Sequence, residues 1–133
     1  MQEKLLKTTQ AEYIPGVWDG KNTSGIVPVG DRVVVMPDVA ADKSSGNVWL
    51  DPRAVERATM ASESGVLVAI GEGAWVWNSD HTRPFEGRKP KIGERVTFQR
   101  YSGQLSLGLD NKLYRVMDAD VIGGILTAEV NNV

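Results

Sequence analysis

Ile26-Val27-Pro28-Val29-Gly30-Asp31-Arg32-Val33-Val34-Val35-Met36-Pro37 is the stretch on which the reading of this chain turns. Four consecutive aliphatic or thioether residues follow Arg32 and read as the first convincing strand. Pro28 stands before that strand and Pro37 ends it, because proline cannot donate to a ladder. Downstream, Gly65-Val66-Leu67-Val68-Ala69-Ile70-Gly71 is a second apolar run bracketed by glycines. Ile92-Gly93-Glu94 turns into Arg95-Val96-Thr97-Phe98-Gln99, where Val96 and Phe98 alternate with polar residues and predict one buried face. Asp110-Asn111 predicts a hairpin turn between Ser106–Leu109 and Lys112–Met117, and a last strand is expected over Val121–Leu126. Fourteen glycines and six prolines punctuate these runs. That pattern predicts an all-β fold, a small irregular β-barrel.

Composition narrows the function. The chain has 133 residues, no cysteine and one histidine, so disulfides and Cys-type metal sites are excluded. Fifteen basic and seventeen acidic residues are interspersed, giving a net charge of −2. No basic patch of the kind that binds nucleic acid stands out. No apolar run approaches the roughly 18 residues of a membrane helix. Met1–Gln10 has no apolar stretch of a secretory signal, and a cytoplasmic protein is expected. His81, alone, is read as a surface residue. Gly71-Glu72-Gly73 lacks the helix and basic partner of a phosphate loop and is read as a turn. No catalytic residue, metal or cofactor is expected.

Residues 1–25 read as an arm, either disordered or docked on a neighbour through Tyr13 and Trp18. Residues 26–126 read as the barrel domain and 127–133 as a polar tail. The barrel carries a long loop over about 39–64 and a hairpin over about 74–90. Asp51-Pro52 reads as a helix start, with a short helix to about Glu63. Within the loop, polar residues give way abruptly to Val48-Trp49-Leu50. Two readings stay open: a core strand with polar flanks, or an exposed docking tip that a partner buries. Burying three such side chains stabilises a complex by roughly 2 kcal/mol each. Ordering about eight loop residues costs on the order of 1 kcal/mol or more apiece. One loop therefore binds weakly, and several held on one oligomer bind well. Trp75 and Trp77 sit two apart, on one face if extended, and read either as hairpin packing or as a surface facing neighbours or a cavity.

In order, several segments resemble the GroES co-chaperonin family. Ile26-Val27-Pro28-Val29-Gly30-Asp31-Arg32-Val33-Val34-Val35 is similar to its opening strand, and Lys43-Ser44-Ser45-Gly46-Asn47-Val48-Trp49-Leu50 to its mobile loop. Gly65–Gly73, Lys91–Phe98 and Tyr101-Ser102-Gly103 resemble later motifs, and Asp110–Leu126 the closing strands. The resemblance covers about residues 26–126 and implies a non-enzymatic co-chaperonin. Such a subunit joins a homo-heptameric lid whose first and last strands meet neighbours. The lid's mobile loops dock on a GroEL-like chaperonin ring in its nucleotide-bound state and enclose a substrate protein. Carried over, Val48, Trp49 and Leu50 are the docking triplet, Gly46 and Asn47 precede it, and Trp75 and Trp77 belong to the roof hairpin. Neither nucleic acid nor membrane is an expected partner. Trp49 departs from the smaller aliphatic residue of the family, and the arm and tail are additions. That divergence resembles phage-carried co-chaperonins, which would work in a host cytoplasm. The alternative is a viral structural or interaction protein that uses the same barrel without binding a chaperonin.

Overall fold

The computed structural model describes residues 12–14, 18–41, 52–78 and 80–127. Eight strands and one α-helix lie within them: β1 (Glu12–Ile14), β2 (Arg32–Pro37), β3 (Val39–Ala41), α1 (Pro52–Ala61), β4 (Ser64–Ile70), β5 (Arg95–Phe98), β6 (Gln104–Leu107), β7 (Leu113–Asp118) and β8 (Ile122–Leu126). A single 3₁₀ turn, Ala119–Val121, links β7 to β8. Six strands form one antiparallel sheet in the order β6-β7-β2-β4-β5-β8. The all-β class is as expected. The sheet is not closed, however, because β6 and β8 stand at its two edges.

β2 is central, paired with β4 on one side and β7 on the other. Its aliphatic run makes sense there, since both faces are covered. Val33 and Val35 point into one core with Leu67, Trp75, Val96, Phe98 and Met117. Val34 and Met36 point into a second core with Val66, Val68 and Tyr114. Between β2 and β4 the register shifts, so that Val34 faces Ala69 while Val35 faces Leu67. Val68 is thus the extra residue of a bulge, and the bulge repairs the parity of the two strands. Val68 and Ala69 both serve the second core, and Ile70 returns to the first.

The second core is closed by the segment after β1. Trp18 and Ile26 pack against it, and the Trp18 indole N–H donates to the Lys21 carbonyl at 2.9 Å. The arm therefore docks on its own subunit at Trp18, where disorder or a neighbour was the expectation. Glu12–Ile14 also pairs with Val39–Ala41, so the stretch after Pro37 begins with a strand that the sequence did not announce. α1 begins at Pro52 as anticipated and stops at Ala61.

Ala74-Trp75-Val76-Trp77 would put both tryptophans on one face if it were extended. It is a turn instead: the Ala74 amide donates to the Gly71 carbonyl at 3.1 Å, and Trp75 takes φ 55°. The turn sends Trp75 into the first core and leaves Trp77 half exposed. The two rings do not share a face. The turn also needs Gly71, where a Cβ would stand 2.4 Å from the Gly30 carbonyl oxygen. The hairpin itself is present. Trp77 bridges Pro84, and the polar tip is held by the Asn78 side-chain oxygen, which accepts from the Thr82 amide at 2.9 Å.

Candidate functional site

The residues assigned from sequence to docking, Gly46, Asn47, Val48, Trp49 and Leu50, lie outside the described residues, and so does Asp51, the expected cap of α1. What the structure defines is how the chain on either side of 42–51 is fixed to the sheet.

The near root is a charged clamp. Pro37 ends β2 opposite Gly65, and the Asp38 amide donates to the Ser64 carbonyl at 3.0 Å. The Asp38 carboxylate is buried. It accepts from both terminal nitrogens of Arg95, at 3.1 and 2.7 Å, and from the Ser64 hydroxyl at 2.6 Å. Such a fork is geometrically specific. It joins the end of β2 to the starts of β4 and β5, immediately before β3.

The far root is held by Arg115. Its position on β7 is opposite Val35, on the face of the first core, and the residue has no exposed surface. The guanidinium donates to the Ser62 carbonyl at 2.8 Å, the Gln99 carbonyl at 3.1 Å and the Ser102 carbonyl at 2.7 Å. It also lies 4.6 Å from the Phe98 ring centroid, a cation–π distance. Two backbone bonds add to this, from the Phe98 amide to Glu63 and from the Tyr101 amide to Met60. The end of α1 is thereby fastened to the segment after β5. Sequence reasoning missed Asp38, Ser64, Arg95 and Arg115 as a set. For Arg95 and Arg115 the signal is a charged residue within a strand pattern, which ordinarily marks a wet face, and Asp38 and Ser64 carry none.

Two further surfaces stand out. Residues 25–29 join no strand, and Val27 and Val29 are 80% and 79% exposed. At the far end of the sheet, β8 pairs with β5 on one side only. Among the titratable groups, Glu94 is held below the usual carboxylate range, first by the Arg88 guanidinium and then by the Lys91 amide. Among the described residues, no three His, Cys, Asp or Glu side chains gather as a metal site. No helix among them is long and apolar enough to cross a membrane.

The described residues thus form an open antiparallel sheet with two edge strands, β6 and β8, and with clamps on the chain both before and after 42–51. The chain belongs to the chaperonin 10 kDa subunit family, whose model matches residues 25–126. It is 30% identical over 99 residues to the co-chaperonin GroES of Bacillus sp. (strain PS3), covering 74% of this chain and 96% of that protein. It is 28% identical over 106 residues to the mitochondrial 10 kDa heat shock protein of Saccharomyces cerevisiae, covering 79% and 92%. To the GroES of Limosilactobacillus reuteri it is 33% identical over 76 residues, covering 57% and 72%.

Proposed function

We propose that this chain is a co-chaperonin that acts by binding, not by catalysis. In this reading Val48, Trp49 and Leu50, preceded by Gly46 and Asn47, dock on a chaperonin ring in its nucleotide-bound state. The observation that carries the reading is the pair of clamps at Asp38–Arg95 and Arg115. They hold both roots of the segment bearing an apolar triplet, in a chain of this family. Rigid roots matter because they confine the ordering cost of docking to the segment between them.

The same reading extends to assembly. The free edge of β8 and the segment bearing the exposed Val27 and Val29 differ from each other, so pairing one copy's edge with the next copy's segment is head-to-tail. Head-to-tail contacts generate a ring when the rotation closes. A homo-heptamer enclosing a substrate protein in the cytoplasm is the form proposed here, with the Trp75–Phe85 hairpin, Trp77 outward, at its roof.

Two measurements test this. Native mass spectrometry is expected to find a species near seven times the 14.5 kDa subunit mass. A stable monomer would remove the multivalency on which weak single loops depend. Trp49→Asp is expected to abolish capture by a chaperonin ring while assembly persists. Capture that survives the charge would place docking elsewhere.

A further inference from the structure

β1 lies in residues 1–24, ahead of the span that the family model matches. Its partner is not the main sheet. Glu12, Tyr13 and Ile14 pair antiparallel with Ala41, Ala40 and Val39, the residues directly after the Asp38–Arg95 clamp and directly before 42–51. A two-stranded sheet this short is marginal in isolation. Here it has support at both ends: β3 packs against α1, and a few residues beyond β1 the chain is seated on the second core by Trp18. The arm thus adds a strand to the near root of the loop, the mode by which an extended peptide augments a sheet edge.

From this pairing we infer that the arm positions the docking loop. This rests on the co-chaperonin reading above. Without β1, Val39–Ala41 lose their strand partner, and the chain that must be ordered on docking begins at Val39, just past the Asp38 clamp. With β1, those three residues are already ordered, and the direction in which the chain leaves the sheet is set at Ala41. Pre-ordering lowers the entropic cost of every loop that docks. The loop is therefore tuned from outside the span that the family model matches, by backbone pairing and not by a change in the docking triplet.

The experiment compares the full chain with Tyr13→Pro and Tyr13→Val. Proline breaks the strand at its centre, while valine retains strand propensity without the aromatic ring. Three readouts are taken: amide exchange at Val39–Ala41 in the free protein, native mass, and capture by a purified bacterial chaperonin ring saturated with ATP. Tyr13→Pro is expected to lose protection at Val39–Ala41 and to weaken capture by roughly 100-fold or more, since each loop must order three more residues. Assembly mass should not change, and Tyr13→Val should behave as the parent chain. Unchanged or tighter capture by Tyr13→Pro, once protection is lost, overturns the positioning role. So does equal damage from Tyr13→Val, which would assign the effect to the ring and not to the strand. Absence of protection in the parent chain overturns the pairing itself. If the parent chain is not captured at all, the co-chaperonin reading fails and takes the coupling with it, while exchange still reports whether β1 and β3 pair.

Discussion

The two faces of the central sheet are sealed by neighbouring residues of β7 in different ways. Arg115 closes the first core, and Tyr114 closes the second. Arg115 is satisfied by three carbonyl oxygens and an aromatic ring. Tyr114 donates its phenol proton to the Asp110 carboxylate, which also accepts from the Thr23 hydroxyl at 2.6 Å and from the Lys112 amide through its other oxygen at 3.0 Å. One joint ties the end of α1 to the sheet through a cation that never titrates. The other ties the arm to the β6–β7 turn through a carboxylate that does. The first core is thus held identically across the accessible pH range, and the attachment of the arm is conditional.

The largest expected effect is on the first face. Arg115→Met leaves the Ser62, Gln99 and Ser102 carbonyls short of a buried donor, at a cost of about 3 kcal/mol. Chemical denaturation at fixed protein concentration reads this directly. A loss smaller than that of Tyr114→Phe would invert the comparison. Next comes Trp18→Ala, which uncovers the second core. The indole is only partly buried, so the loss is set at about 2 kcal/mol, below that of a fully buried tryptophan. Its damage should appear as greater methyl mobility by NMR in Val34 and Val68 than in Val33 and Val35. Equal mobility on the two faces would mean that they open together. Tyr114→Phe removes one hydrogen bond and keeps the packing, for about 1 kcal/mol.

The smallest effect is pH. Burial pushes the Asp110 carboxyl up, but the bonds from Thr23, Tyr114 and the Lys112 amide outweigh it and hold the group below its usual range. A depressed carboxyl contributes stability above the unfolded value of about 4, and that contribution is lost as pH falls through the folded value. Burial, then the bond to Asp110, pushes the Tyr114 phenol up to about 12. Its contribution is complete below about pH 10 and is lost as pH rises through the folded value. Neither joint should change between about pH 5 and 9. Toward pH 3 the Trp18 fluorescence should respond before the first core does, and a simultaneous change would remove the distinction between the faces.

Much of the sheet was legible. β2, β4 and β5 and the β6–β7 hairpin follow from apolar runs and alternation bounded by Gly, Pro and Asp-Asn. What escaped has physical reasons. β1 and β3 have three residues each, too short to show a period. Trp75 sits in a left-handed conformation that large side chains rarely adopt, so no residue pattern marks that turn. Arg115 alternates correctly with Tyr114 and Val116 for a wet position, and it is dry only because Ser62, after α1, and Gln99 and Ser102, between β5 and β6, converge on it. Open edges were invisible for a similar reason: whether β6 meets β8 depends on the sheet's curvature and not on either strand's composition.

On β8 the register with β5 slips between Thr97 and Phe98, from Gly124 to Ile122, leaving Gly123 as the odd residue. If β8 is the edge that receives the next copy, this bulge works as a protractor. It sets the angle at which each subunit hands on to its neighbour, and hence whether a head-to-tail chain of copies bites its own tail or winds on as a helical filament. Deleting Gly123 would straighten the edge, and a changed copy number or an open fibre under the electron microscope would show that the polygon is written in a single glycine.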